Sequence, residues 1–326
     1  MACYLFFLAS PLEKVFPAQR PAAWERRSFR LLRGDRFSFQ LVYAMNSDPE
    51  SSSAWQHFNV RCEGAPVKVR MREVALVPSE FPCWGDHDEN YLTTQAGLFP
   101  DLLRPSDGRI LPIAGQYRSL WVDLTTDGMQ AGSCPLTVTV EAEKTTLLGN
   151  GSAESGQDAT RWNWSTTLTL EVSEAELPPQ TLLHTEWFHV DCLLHQYHLT
   201  FGDERFWQVV ERYIAFAGAE CGINTLLTPI FTPPLDTEFG GERETVQLVD
   251  VEKIDGVYRF GFDKLKRWCG LCRRHGITHL ELAPFFTQWG AVATPKIMVK
   301  ENGELKRAFG WDVPARSENY RAFLQA

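Results

Sequence analysis

The fold of this chain is indicated most directly by ELAPFFTQWGAVATPKI, residues 281–297. The stretch begins as a short apolar strand and then becomes a loop that carries Thr287, Gln288, Trp289 and Lys296. In (β/α)8 barrels the ligand sites lie at the C-terminal ends of the strands, where each strand opens onto such a loop. The stretch therefore predicts a parallel α/β domain with a binding site in this loop.

The sequence on the N-terminal side of this stretch alternates between strands and helices. In chain order we predict a strand at 181–190, a helix at Glu204–Cys221, a strand at 223–230, a hairpin turned at Asp255-Gly256, a helix at 262–275 and a strand at 278–283. Such alternation is typical of a parallel sheet covered by helices. Because a (β/α)8 barrel needs ~250 residues, we expect residues 177–326 to form an incomplete TIM-type barrel with about three strands.

The first half of the chain has the pattern of β-structure. Apolar or alternating runs predict strands at 3–10, 37–46, 57–63, 67–78, 117–126, 136–143 and 166–172. Turn-forming residues separate these runs and helical periodicity is almost absent, which indicates an antiparallel β-sandwich over residues 1–176. Leu177-Pro-Pro-Gln180 follows as a stiff connector, because each proline fixes φ and prevents a strand or helix from continuing. The chain is therefore expected to have two domains, 1–176 and 177–326.

The composition and charge of the chain argue against two classes of binding partner. The 326 residues carry a net charge of −9, dispersed without basic runs, so we expect neither a nucleic-acid nor an anionic-membrane partner. No apolar run approaches the ~20 residues of a membrane span. The apolar residues 1–10 lack a basic start and are interpreted as the first strand of the sandwich, not as a signal peptide. The scattered cysteines are expected to be reduced, and together these features predict a cytoplasmic protein.

The segment Trp268-Cys-Gly-Leu-Cys272 looks like the thioredoxin redox motif. In redox proteins the first cysteine lies at a helix N-terminus, where the helix dipole lowers its pKa. Here Cys269 and Cys272 lie late in the predicted helix and share its apolar face with Leu265. We therefore expect both to pack in the core. No second cysteine pair has the spacing of zinc ligands, so neither a metal nor a cofactor is expected.

A second group of candidate residues ends the first predicted barrel strand, in Glu186-Trp-Phe-His-Val-Asp191. Barrel geometry favours a place in a pocket for His189 or Asp191, and the alternative is that both face outward and pack against helices. His189, Asp191 and His195 could also suggest a metal, but no further matched ligand accompanies them. The 11 tryptophans include many expected core residues, yet such an excess also suits stacking on the apolar faces of sugar rings.

Specific motifs carry a resemblance to family-123 glycoside hydrolases over essentially the whole chain. Leu12-Glu-Lys-Val-Phe16 and Ser119-Leu-Trp-Val122 resemble the N-terminal β-sandwich of that family. The first part of its catalytic barrel is similar to Glu186-Trp-Phe-His-Val-Asp-Cys192, Phe286-Thr-Gln-Trp-Gly-Ala291 and Phe309-Gly-Trp-Asp312. The resemblance thus implies the same order of domains that the strand and helix patterns predict.

The resemblance further implies a retaining, substrate-assisted exo-β-N-acetylgalactosaminidase, which acts on 2-acetamido sugars. In this mechanism the 2-acetamido oxygen of the sugar attacks the anomeric carbon. An Asp polarises that amide, and the next residue, a Glu, protonates the leaving oxygen. By the same resemblance, the substrate-binding residues of this chain are Trp187, His189, Asp191, Gln288 and Trp289.

Two departures from the family pattern bear on activity. The catalytic Asp-Glu pair of the family lies in a stretch like Ser-Asp-Glu-Pro, and no such stretch follows Leu177. We therefore expect the catalytic pair beyond residue 326, no catalytic residue in this chain, and an inactive fragment. Pro284 stands where the family commonly has His, which puts one substrate contact in doubt. The alternative, from another class, is a noncatalytic carbohydrate-binding protein whose β-sandwich carries the site.

Overall fold

The computed structural model describes residues 3–46, 56–66, 69–143, 163–233, 241–288 and 290–326. The chain divides into two compact units, Met1–Pro178 and Pro179–Ala326. Strands predominate over helices in the described residues. Each unit has its own buried core, so each is described separately.

Unit 1 consists of two five-stranded sheets. Its strands are β1 (Cys3–Ala9), β2 (Ser28–Arg33), β3 (Arg36–Asn46), β4 (Phe58–Glu63), β5 (Arg70–Ser79), β6 (Gly97–Ser106), β7 (Arg109–Ile110), β8 (Tyr117–Thr125), β9 (Gly132–Ala142) and β10 (Asn163–Glu176). The strand orders are β1-β3-β8-β5-β6 and β2-β10-β9-β4-β7. One buried cluster takes alternate residues from both sheets, which is the packing of a β-sandwich.

The sandwich differs from the sequence prediction in its edges. Strand β2 pairs in parallel with β10, so the sandwich is not purely antiparallel. The edge strand β6 was not predicted, because most of its residues are exposed and it contains Pro100 and Pro105. Edge strands bury little on either face and therefore lack the alternation by which inner strands are predicted.

Unit 2 contains two smaller sheets and four helices among its described residues. Its elements are β11 (Thr185–Glu186), α1 (Asp191–Tyr197), α2 (Glu204–Cys221), β12 (Thr225–Thr228), β13 (Asp250–Ile254), β14 (Val257–Gly261), α3 (Asp263–Arg274), β15 (His279–Leu282), β16 (Ile297–Glu301), β17 (Glu304–Phe309) and α4 (Glu318–Gln325). A parallel sheet has the order β11-β12-β15, and a mixed sheet has the order β14-β13-β16-β17. The described residues show this short parallel sheet and no closed barrel, so the barrel remains a prediction.

Helices α2 and α3 cover one face of the parallel sheet. Leu226 pairs with Leu280 in the ladder, and both pack in the cluster that holds Phe206 and Trp268 of these helices. Trp268 also donates from Nε1 to Thr228 Oγ1 over 3.2 Å. Because successive residues of a strand face opposite sides, the next ladder position presents its side chains to the other face of the sheet.

The helix bounds follow the local signals closely. Helix α2 has the predicted bounds and is closed by Gly222 at φ +66°, in the left-handed region that glycine adopts without strain. Asp203 has the extended backbone of an N-cap residue, but its side chain makes no capping hydrogen bond. The predicted packing role of the cysteine pair is confirmed for Cys272, which is 1% exposed and whose pKa is raised to about 12 by burial.

Other local predictions in unit 2 were incomplete. The strand predicted at 181–190 is only two residues long, and α1 occupies the segment that was predicted as a loop after it. Leu193 and Leu194 of α1 are buried, which fixes this turn of helix against the core. The β16–β17 hairpin was missed, although Asn302-Gly303 at its turn, with φ +53° and +85°, is a strong hairpin signal.

Candidate functional site

A tryptophan is held at the sheet face opposite to α2 and α3, on which Leu227 of β12 is fully buried in a second cluster with Tyr320 and Phe323 of α4. Glu281 of β15 pairs with Leu227 of β12, on the face opposite to the helices. Trp187, which follows β11, donates from Nε1 to Glu281 Oε1 over 2.9 Å. The Trp187 side chain is 52% exposed, so the hydrogen bond fixes the indole while one side of the ring stays open to a ligand.

An ion pair lies beside this tryptophan in sequence. Asp191 is the first residue of α1, and its Oδ2 accepts from Arg243 Nε over 2.7 Å. The two side chains are 13% and 20% exposed, respectively. Charge-assisted hydrogen bonds of this length are among the stronger ones in proteins, and partial burial reduces their screening by solvent. The carboxylate of Asp191 is therefore held in one orientation.

A lysine extends the ion pair to a third loop. Lys296, in the loop after β15, donates from Nζ to the backbone oxygen of Arg243 over 3.0 Å. Asp191, Arg243 and Lys296 follow β11, β12 and β15 in turn, and we name them the strand-end network. One residue that follows each parallel strand thus joins a single set of contacts. The network brings donors, an acceptor and both signs of charge to the carboxyl edge of the sheet.

Alternating charges continue from the strand-end network towards β17. Lys296 Nζ lies 3.7 Å from Glu242 Oε2, and Glu242 is also ion-paired with Arg307 of β17. Arg307 Nη2 in turn lies 3.0 Å from Asp312 Oδ2. Asp312 belongs to the Phe-Gly-Trp-Asp motif that the sequence analysis singled out. The motif therefore helps to hold the cations around the network.

The loop after β15 is closed by its own hydrogen bonds. Thr287 is 4% exposed, and its hydroxyl lies 3.2 Å from both the nitrogen and the oxygen of Ala293. The hydroxyl of Thr294 makes similar contacts with the nitrogen and oxygen of Gly310, at 2.9 and 3.0 Å. These contacts fix both ends of the segment around Gln288. Its position is thus determined by buried threonines and not by the exposed residues of the loop.

The structure places the predicted site residues in different surroundings. Trp187 and Asp191 make the contacts described above, and His189 lies half-buried between β11 and α1. Gln288 is half-buried and makes no hydrogen bond with a described residue. Trp289 lies outside the described residues, so its role stays a prediction.

Sequence reasoning missed Glu281 and Arg243, and it left Lys296 out of the site. Glu281 was read only as the start of a strand, although a charged residue in a short central strand is itself a signal. Arg243 lies in Gly-Glu-Arg-Glu, a segment without strand or helix periodicity. Nothing local in such a segment indicates which of its charges turns inward.

Two Asp-Glu pairs in the chain are placed away from strand ends. Asp203 is the N-cap residue of α2, and Glu204 accepts two hydrogen bonds of 2.8 Å from Arg267. In unit 1, Asp88 and Glu89 lie in an exposed loop. Neither pair has the position of a catalytic pair at the end of a barrel strand.

The described ranges also bear on metal sites, membrane spans and further cavities. Within them, no three His, Cys, Asp or Glu side chains lie close enough together to hold a metal ion. No helix of the described part is both long and apolar enough to span a bilayer.

A cavity of about 620 Å³ lies on the mixed sheet, between residues such as Gln247, Lys264 and Leu305. No residue of the strand-end network lines this cavity.

Comparisons with known proteins bear on both units. Residues 187–326 match the family described as Glycoside hydrolase 123, catalytic domain. The solved structure of a family 123 glycoside hydrolase from Clostridium perfringens, analysed for glycolipid glycan hydrolysis, is similar over 99% of this chain. Its TM-score is 0.69 and its sequence identity is 10%, so the likeness shows the fold. This chain spans 55% of the length of that protein.

More distant structures resemble only parts of this chain. AggA, the major subunit of an Escherichia coli adherence fimbria, matches over 53% of this chain and 96% of its own, with 10% identity and a TM-score of 0.24. A PapD-like domain of human CEP192 matches over 47% of this chain and 84% of its own, with 11% identity and a TM-score of 0.23. Scores this low support no argument. No curated protein sequence matches the chain.

Proposed function

Because residues 187–326 match the glycoside hydrolase 123 catalytic-domain family, we propose that this chain provides the sugar-binding part of a glycoside hydrolase for 2-acetamido sugars. The observation that carries the proposal is that the exposed Trp187 and the strand-end network both follow the carboxyl ends of the parallel strands. An oriented carboxylate, cations and an open aromatic face are the groups that a sugar needs, because its hydroxyls form hydrogen bonds and its ring carbons stack.

Each residue has a distinct role in this proposal. Trp187 forms one wall of the subsite and stacks on the apolar face of the sugar ring, held in place by Glu281. The carboxylate of Asp191 accepts hydrogen bonds from sugar hydroxyls, since a carboxylate has about four acceptor positions and Arg243 occupies only part of them. His189, Gln288 and Trp289 are proposed to complete the subsite.

The reaction proposed for the whole enzyme is substrate-assisted hydrolysis with retention. The 2-acetamido oxygen forms a bond to the anomeric carbon as the glycosidic bond breaks, and a carboxylic acid gives its proton to the leaving oxygen. Water then attacks the anomeric carbon, the oxazoline ring opens, and the acid regains a proton. This route requires no nucleophile from the protein, which agrees with an Asp191 carboxylate that is already engaged by Arg243.

We propose that the proton donor of this reaction is not among residues 177–326. The one Asp-Glu pair in that range has its Glu204 carboxylate bound by Arg267 at the start of a helix. The 326-residue chain is therefore expected not to hydrolyse aryl N-acetylhexosaminides, since positioned proton transfer contributes ~10²–10⁴-fold to such rates. A colorimetric assay of the purified chain tests this. Turnover that the substitution His189→Ala abolishes would show that the chain contains a complete active site.

Sugar binding by the same chain is expected to depend on Trp187. Titration calorimetry with N-acetylgalactosamine should show binding, and Trp187→Ala should weaken it roughly fivefold, because aromatic contacts contribute about 1 kcal/mol. Phe216 of α2, which is 58% exposed, offers a matched control, and Phe216→Ala should leave the affinity unchanged. Equal affinities for all three proteins would remove Trp187 from the site.

A further inference from the structure

A cavity of about 770 Å³ opens at one end of the β-sandwich in unit 1. Tyr43 of β3, Glu73 of β5 and Arg118 of β8 line it from one sheet, and Arg109 of β7 lines it from the other. The volume is within the range of roughly 300–1,000 Å³ that small-molecule sites occupy. All of these residues belong to unit 1, so the inference drawn from them does not rest on the proposed function.

The inward side chains of the sandwich change from apolar to polar at this end. Along the β3–β8 ladder the paired inward residues are Phe37 with Leu124, Phe39 with Val122, Leu41 with Leu120, and Tyr43 with Arg118. The first three pairs belong to the buried core of the sandwich. A polar pair where the alternation would place an apolar one costs stability unless its hydrogen bonds are made. Places where a sequence departs from the pattern of its own fold are often functional.

The buried unsatisfied atom at this place is Nε of Arg118, the ladder partner of Tyr43, which has no hydrogen-bond partner within the described residues. The hydroxyl of Tyr43 is a second polar group of this cavity that has no partner among the described residues. Its side chain is 3% exposed, and the hydroxyl makes no hydrogen bond within the described part of the chain. Burial raises the pKa of Tyr43 to about 12, so the hydroxyl stays protonated and can both donate and accept at neutral pH. A ligand in the cavity could supply a partner both for the Arg118 donor and for the Tyr43 hydroxyl, and an unpaired buried donor is otherwise unfavourable.

The charges around the cavity are balanced before any ligand binds, because three arginines face the three carboxylates of Glu73, Glu143 and Asp107. Arg118 donates from Nη2 to Glu73 Oε1 over 3.1 Å, and Glu73 also accepts from Arg104 over 2.9 Å. Arg109 makes two hydrogen bonds to Glu143, of 2.8 and 3.1 Å. Because each guanidinium already faces a carboxylate, an anion would gain little here and would be repelled by Glu73. The cavity therefore suits a neutral ligand with many hydroxyl groups.

We propose that this cavity binds a neutral carbohydrate, at a site separate from the strand-end network. Arg118 is 15% exposed and makes one hydrogen bond within the described residues, so donors of its guanidinium remain for sugar oxygens. The hydroxyl of Tyr43 forms a hydrogen bond with one sugar hydroxyl, and the Glu73 carboxylate accepts a hydrogen bond from another. Recognition rests on hydrogen bonds and not on stacking, because the ring of Tyr43 is buried.

The test is a titration of the 326-residue chain with galactose, glucose and mannose, none of which has a 2-acetamido group. Calorimetry should show millimolar binding of at least one of them. Tyr43→Phe should weaken that binding roughly 3–10-fold, because it removes one hydrogen bond to the ligand. Its melting temperature should stay level or rise, because no hydrogen bond within the protein is lost. Arg118→Lys, which keeps the charge but loses the planar fork, should weaken binding as well.

Two further measurements show whether the hexose binds in the sandwich cavity or at the strand-end network, and whether the cavity instead binds anions. Trp187→Ala alters the site of the proposed function, so hexose binding that survives in Trp187→Ala and weakens in Tyr43→Phe belongs to the sandwich. Inorganic phosphate, titrated separately, should not bind. The proposal is overturned by the absence of hexose binding, by equal binding in the wild type and Tyr43→Phe, or by phosphate binding that depends on Arg118. A marked loss of stability in Tyr43→Phe would instead assign the hydroxyl a structural role and equally overturn it.

Discussion

Replacing Arg243 with methionine is expected to weaken the binding of N-acetylgalactosamine at least tenfold and to lower the free energy of unfolding by about 1–3 kcal/mol. Methionine replaces the aliphatic stem of the arginine but not its guanidinium, and so leaves the Asp191 carboxylate, which is 13% exposed, without its cation. It also releases one of the contacts between the loops after β11 and β12. Calorimetric titration and urea denaturation measure the two effects.

A matched control and a double variant separate charge from packing in this prediction. Arg212 of α2 is exposed, so Arg212→Met makes the same chemical change without affecting the strand-end network. Adding Asp191→Asn to Arg243→Met should recover part of the lost stability, since the remaining group no longer carries an unpaired charge. If the losses of unfolding free energy in the two single variants simply added up in the double variant, Asp191 and Arg243 would not be energetically coupled. The ion pair would then contribute nothing to the stability of the strand-end network.

Replacing Trp268 with alanine is expected to be the most destabilising single change in unit 2, at about 3–5 kcal/mol. Its side chain is fully buried, packs 6.1 Å from the ring of Phe188 and hydrogen-bonds to Thr228. The substitution therefore removes a large apolar volume and leaves the hydroxyl of Thr228 buried. Urea denaturation followed by near-ultraviolet circular dichroism measures the loss.

Two comparisons show where this energy originates. Thr228→Val nearly keeps the volume but removes the hydroxyl that accepts from Trp268 and donates to the Leu226 oxygen. Because the indole N–H then loses its acceptor, the change should cost about 1–3 kcal/mol. Trp187→Ala removes the same kind of side chain from a position that is 52% exposed, and should cost far less than Trp268→Ala. If the two tryptophan variants were equally destabilised, Trp187 would be a core residue. Its assignment to a sugar subsite would then be wrong.

The contrast between these two tryptophans shows what could be predicted from the sequence. Helix α2 was predicted with its observed bounds, because the spacing of its apolar residues and the glycine after it are local signals. The turn at Asp255-Gly256 was predicted for the same reason, and both residues have positive φ. The exposure of Trp187 and the burial of Trp268 are not distinguished by their immediate neighbours, since each tryptophan directly follows a charged residue, Glu186 or Arg267.

Local patterns were thus sufficient for most strands of the β-sandwich, for α2, α3, β12 and β15 of unit 2, and for Asp191 as a candidate at a strand end. The strand-end network required the tertiary structure, because Arg243 lies 52 residues from Asp191 and Lys296 lies 53 residues from Arg243. Such contacts depend on the register of the parallel strands and on the path of the loops between them. Periodicity reports the side of a helix or strand that is buried, whereas the partner of a charged side chain is decided only when distant segments pack together.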